Sequence, residues 1–209
     1  MHRAIVNVAV GSWYPEGQRR LLESLAKVGE TADPLMWAGT YPPGSPTHQE
    51  TPYAMKPYVF VHARTLGYQS VIWLDASCYV TRPLPWEQIE TEGYYLGQEG
   101  WSVGQWCAPD VLPMLGLTRE EALGITLMDG KIIGLDFTHR VANDFLDQWL
   151  ACAQMGAFNG DWSEHRHDIT CGAAIADRLG MRLTPHPVTI AGPNDPPHPE
   201  SYVNAQGMS

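Results

Sequence analysis

The chain has 209 residues and a mass of 23.2 kDa, enough for one domain with a full core, and 44% hydrophobic against 17% charged residues excludes general disorder. Thirteen basic and 23 acidic side chains give a net charge of −10, which opposes bulk binding to a nucleic-acid backbone. The charge is uneven. Residues 1–90 carry 7 basic and 8 acidic groups and residues 91–209 carry 6 and 15, so an anion site is expected mainly in the first half.

No run of 18 apolar residues is present, so no membrane span is expected. Met1-His2-Arg3 leads at once into a strand-like run, unlike a signal peptide. Cys78, Cys107, Cys152 and Cys171 never form C-x-x-C, which leads to an expectation of free thiols in a reducing, cytoplasmic compartment.

In chain order, Ile5 to Val10 is a β-branched run of the kind buried on both faces of a parallel sheet. Gln18 to Val28 repeats Leu21, Leu22, Leu25 and Val28 at helical spacing, and Pro34 to Ala38 reads as a short strand. Residues 40–53 form an aperiodic loop. A helix over Pro57 to Leu66 presents Val59, Phe60, Ala63 and Leu66, and Ser70 to Leu74 is an apolar strand ending at Asp75-Ala76-Ser77. This alternation predicts parallel crossovers and a Rossmann-like α/β half.

The second half is less regular. It predicts a helical turn at Trp86–Ile89, a strand over Gly93 to Gly97, two helical pieces within Ala108–Gly124 and a strand over Lys131 to Phe137. A helix over Arg140 to Met155 faces inward with Val141, Phe145, Leu146, Trp149 and Cys152. Asp168 reads as the N-cap of a helix over Ile169–Leu179, Arg182 to Ile190 as a last strand, and the tail from Gly192 as a surface wrap. No repeat or linker appears, so residues 1–209 are read as a single domain.

The segment Lys56 to Val80, KPYVFVHARTLGYQSVIWLDASCYV, carries the most chemistry. A buried strand ending in Leu74-Asp75 puts an acid at the carboxyl edge of the sheet, where open α/β folds bind ligands. The helix beginning Lys56-Pro57, the Gly67-Tyr68 turn and the strand Val71-Ile72-Trp73-Leu74-Asp75-Ala76-Ser77 resemble nucleotide-sugar glycosyltransferases of the A-type fold. So do the opening strand with Gly11-Ser12-Trp13-Tyr14, the later Lys131-Ile132-Ile133-Gly134 strand, and Arg166-His167-Asp168 at a helix start.

The resemblance implies a single-domain α/β fold with a mostly parallel sheet. Residues 1–90 would form the nucleotide-sugar half and 91–209 the acceptor side. It also implies transfer of one sugar from a nucleotide diphosphate donor, such as a UDP-sugar, to an acceptor hydroxyl. Asp75 would meet ribose and a divalent metal (Mn²⁺ or Mg²⁺), and Ser77 stands where the family's Asp-x-Asp motif has its second acid. A neutral hydroxyl is a poorer ligand for a hard dication, and His198 or His186 is the candidate to complete the metal site. Lys56 or Arg64 would face the diphosphate, Ser12 and Tyr14 the base, Asp168 the sugar or acceptor, with His167 tuning proton transfer.

His165-Arg166-His167-Asp168 is also a possible metal-ligand run. Trp37, Trp73 and Trp149 read as core, whereas Trp101, Trp106 and Trp162 fall in loops where an indole face could stack on a ring. The acceptor is left open among a small molecule, a glycan, a protein and a hydroxymethylated DNA base, the last disfavoured by charge. The alternatives are a nucleotidyltransferase of similar fold, against which the loop after the first strand has no basic residue before Arg19, and a non-catalytic sugar-nucleotide or glycan-binding protein.

Overall fold

Strand β1 (Arg3–Ala9) lies at the middle of the architecture, buried along almost its whole length. In a computed structural model that describes residues 2–185, 190–191 and 200–205, it is followed by α1 (Tyr14–Lys27), β2 (Asp33–Ala38), α2 (Met55–Thr65), β3 (Ser70–Leu74) and β4 (Cys78–Val80). Then come α3 (Trp86–Glu92), β5 (Tyr94–Ser102), α4 (Val103–Trp106), a 3-10 turn at Pro113–Leu115, α5 (Arg119–Leu123) and β6 (Thr126–Asp136). The last elements are α6 (Arg140–Gln154), α7 (His167–Arg178), β7 (Ile190–Ala191) and β8 (Val203–Ala205).

The main sheet has the order β2-β1-β3-β6-β5. β2, β1 and β3 are mutually parallel; β6 runs against β3, and β5 against β6. Four strands therefore share one direction and β6 is reversed, which gives the expected α/β sheet flanked by helices.

Alternation along the strands divides the core in two. Ala4, Val6, Val8, Val71, Trp73, Ile133 and Leu135 face the layer of α2, α6 and α7. Ile5, Ile72, Leu74, Ile132 and Tyr95 face α1, α3 and β4. Trp73 and Trp149 are core as expected, while Trp37 is half-buried on the edge strand β2. Leu66, expected on the buried face of α2, caps its C-terminus and is exposed.

The tail departs from expectation. Val203–Ala205 is not a surface wrap: its three residues are buried as β8, between β4 and β7 in a second, three-stranded sheet. Of the expected strand over 182–190, Thr184 bridges Gly97, and residues 186–189 lie outside the described part.

The chain leaves β1 for β2 on one side and for β3 on the other. This reversal opens a crevice between the carboxyl ends of β1 and β3, as in other open α/β sheets. Buried Asn7 braces that edge: its Nδ2 donates to the Leu74 carbonyl at 2.6 Å, and its Oδ1 accepts from Gln18 Nε2 at 2.7 Å. No helix among the described residues is long and apolar enough to cross a membrane.

Candidate functional site

Asp75 follows β3 directly into the crevice. Its backbone N–H donates to the Lys131 carbonyl at 2.9 Å, and its Oδ1 accepts the Ser77 backbone N–H at 2.8 Å. The side chain thereby folds the chain into a tight turn and keeps a carboxylate edge at the crevice. Helix α1 packs hard against this turn. A Cβ on Gly17 would collide with the Ala76 carbonyl, and Arg20 Nη2 donates to the Ser77 carbonyl at 2.6 Å.

The crevice has two connected lobes that share Tyr14, Tyr53 and Asp75. The first, about 420 Å³, is mainly apolar, with Val8, Val10 and Gly11 on one side and Tyr41, His48 and Tyr53 on the other. Much of that wall comes from the loop over 40–53, in which sequence periodicity showed nothing. The second lobe, about 370 Å³, is more polar and holds Ser77, Glu99, Lys131, Arg166 and Asp168, with Trp101, Trp106 and Trp162. Trp101 on β5 and Trp106 on α4, both expected in loops, are thus brought to one place with Trp162, which does lie in a loop.

At the floor of the second lobe lies a buried ion pair. Lys56 Nζ sits 2.7 Å from Asp168 Oδ2 and donates to the Gly130 carbonyl at 3.0 Å, with both side chains almost fully buried. The ammonium also lies 5.1 Å from the Tyr53 ring centroid and 5.6 Å from that of Trp73. Burial pushes the Asp168 carboxyl above the usual carboxylate range, while Lys56 pulls it back. Gly130 is required here, since a Cβ would stand 2.8 Å from Lys56 Nζ and 2.7 Å from Ile169.

Several expectations change. Lys56, expected at the diphosphate, lines the second lobe as the buried counter-ion of Asp168. Asp168 is not an N-cap; it is the second residue of α7, whose N-cap is Arg166. Arg64 is remote from both lobes, donating to Asn143 at 3.0 Å and pairing with Asp147 at 2.9 Å on α6. Ser12 is exposed and lines neither lobe, whereas Tyr14 lines both.

His167 stands behind the site. Its Nδ1–H donates to the Phe158 carbonyl at 2.8 Å, and its ring centroid is 5.5 Å from those of both Tyr53 and Trp162. Burial holds its pKa down to about 4, so it is neutral at pH 7. His165 Nε2 donates to the Ala157 carbonyl at 2.9 Å. Both histidines therefore pin backbone, and the metal reading of this run does not fit. His167 (φ 43°) and Tyr53 (φ 58°) are the non-glycine residues with positive φ among the described part, and they touch each other. Two strained positions meet beside the buried pair, a distribution typical of binding sites.

The cation facing the second lobe comes from the other half of the chain. The Arg166 guanidinium stacks between Trp106, at 3.8 Å, and Trp162, at 4.2 Å, with no carboxylate at ion-pair distance among the described residues. Lys131 is paired with Glu99 at 3.2 Å and Asp129 at 3.4 Å. Burial alone would lower the Lys131 pKa, but the two carboxylates outweigh it and raise it. Burial, with Asp129 alongside, pushes the Glu99 carboxyl up. Arg166 and Lys131, which line this lobe along with Lys56, both lie beyond residue 90. A signal existed in Trp162 and Arg166 standing four residues apart, but Trp106 completes the clamp from 60 positions away.

The resemblance implies a divalent metal at Asp75 and Ser77. Asp75 has one oxygen engaged by Ser77 N–H, Ser77 offers a hydroxyl, and no group of three or more His, Cys, Asp or Glu side chains is arranged to hold a metal among the described residues. His186 and His198 lie outside that part. The described donors alone do not make a metal site.

No family model and no curated protein matches the sequence. Among solved structures, the crystal structure of a glycosyltransferase involved in the glycosylation of the major capsid of PBCV-1 aligns over 100% of this chain and 96% of its own, with a TM-score of 0.54 and 11% sequence identity. The chain therefore has the fold of a glycosyltransferase.

Proposed function

We propose that the chain transfers a single sugar from a nucleotide diphosphate sugar to an acceptor hydroxyl. One observation carries this reading: an apolar lobe bounded by Tyr14 and a second lobe holding the guanidinium of Arg166 meet at Asp75, on the carboxyl edge of β1 and β3. The base would lie in the first lobe beside Tyr14, and Asp75 would accept hydrogen bonds from ribose hydroxyls. The diphosphate would pass toward Arg166, whose planar guanidinium suits phosphate oxygens.

In the transfer, the bond between the anomeric carbon and the phosphate oxygen breaks. The diphosphate leaves with the electron pair, and Arg166 stabilises the charge that develops. Asp168, held by Lys56, faces the donor sugar from the floor. The acceptor oxygen forms the new bond to the anomeric carbon, and its proton passes to an oxygen of the departing diphosphate. Stacking Arg166 between two indoles fixes it before the reaction, so little reorganisation is needed at the moment of bond breaking. A glycosyltransferase fold neighbour supports the reading.

The test is release of nucleoside diphosphate from uridine, guanosine, cytidine and thymidine diphosphate sugars, with and without Mn²⁺. One donor class should be turned over, and Asp75→Ala should weaken its binding roughly 10–100-fold. If no donor is cleaved and Asp75→Ala changes the binding of none, the proposal is overturned.

A further inference from the structure

Trp101, Trp106, Arg166 and Trp162 form a continuous row along the second lobe. Trp101 and Trp106 meet edge to face at 5.9 Å, and Trp106 and Trp162 enclose the guanidinium. The Arg166 backbone N–H donates to the Trp106 carbonyl at 2.9 Å, which ties the loop before α7 to α4. The ends of the row are open: Trp101 is 53% exposed and Trp162 50%. Two indoles left this open, yet anchored at their bases, form a preorganised apolar surface rather than part of the core.

Polar groups stand beside the row. Glu99, three residues before the end of β5, lines the same lobe with its side chain a quarter exposed, and Lys131 holds it at 3.2 Å. The Trp106 indole N–H is buried in the wall without a hydrogen-bond acceptor among the described residues, a donor that a bound oxygen could satisfy. Flat apolar faces beside a carboxylate and N–H donors match a pyranose, which carries C–H faces and a rim of hydroxyls. The acidic Glu99–Asp129 pair disfavours a polyanion here.

We propose that this row is the acceptor site and that the acceptor is a carbohydrate, stacked on Trp101 and Trp162 with a hydroxyl on Glu99. The inference rests on the transfer reading but has its own test. Oligosaccharides of glucose, galactose, mannose and N-acetylglucosamine would be titrated against the full chain by tryptophan fluorescence and on a glycan array. At least one class should bind. Trp101→Ala, Trp162→Ala and Glu99→Gln should each weaken that binding about tenfold or more, and Trp101→Phe and Trp162→Phe should restore much of it.

Binding to no oligosaccharide overturns the inference, as does binding unchanged in the alanine variants or capture of peptides or duplex DNA instead. Circular dichroism on each variant separates a lost surface from a lost fold. If oligosaccharides bind on the indoles but no nucleotide sugar is cleaved, the transfer reading fails and the carbohydrate site stands. If donors are cleaved but the row binds no sugar, the site fails and the transfer reading stands.

Discussion

At the scale of single residues, Lys56 and Asp168 are the most consequential contact. Two charges taken out of water stabilise the fold only while each has the other. Lys56→Met leaves a buried carboxylate unpaired and should cost about 3–5 kcal/mol, a fall of roughly 6–20 °C in the thermal midpoint. Lys56→Met combined with Asp168→Leu should recover much of that stability while abolishing activity; calorimetry beside a turnover assay checks both. His167 sets a pH window. Its folded pKa of about 4 lies below the ordinary 6.5, so it favours the folded state above pH 6.5, and that contribution of about 2–3 kcal/mol is lost as pH falls toward 4. His167→Asn, which tolerates a positive φ, should show a smaller drop in melting temperature between pH 7.5 and 5 than the parent chain. Arg166→Ala should lower turnover about 10²–10³-fold while leaving the fold intact, because the half-buried guanidinium is held by two indoles and the Trp162 carbonyl at the rim of the crevice rather than by the core.

At the scale of elements, strand ends set the chemistry and glycines set the spacing. The periodicity of β1, β3, α1 and α6 was legible because each buries a face with its own repeat, and the place of Asp75 at the crevice was legible because a parallel strand ends at the edge where open α/β sheets form one. The partner of Lys56 was not legible. Asp168 is 112 residues away, and only the packing of α7 against β6 brings them together. The resemblance chose both residues, but it could not tell that one would neutralise the other. Arg64 misled for the converse reason: on α2 it lies two turns from Lys56, yet it reaches α6 rather than the crevice. Gly130 on β6 tests the element-level account. Gly130→Ala should push Lys56 or Ile169 aside and reduce both stability and turnover, and a crystal structure of the variant should show the Lys56–Asp168 distance lengthened.

At the scale of the whole molecule, the excess acid of the second half does not keep anions out of it. Arg166, without a carboxylate at ion-pair distance among the described residues, lines the second lobe beside Asp75, Glu99 and Asp168 in a chain whose net charge is −10, so a single small anion finds a partner where an extended one is repelled. A labelled duplex DNA of about 30 base pairs should show no binding at roughly 0.15 M salt, measured by fluorescence anisotropy. The small second sheet joins this lobe from an unexpected direction. β8 pairs with β4 just past the Asp75 turn, Thr81 Oγ1 donates to the Ser201 carbonyl at 2.7 Å across 120 residues, and Ala205 lines the lobe. For a chain emerging from the ribosome this means that the central sheet can assemble while the rim of its crevice is still missing. Closing so long a loop costs only modestly more entropy than closing a shorter one, but it has to wait for residue 205 to be made. The rim, and any binding that depends on it, should therefore be completed after the central sheet has formed.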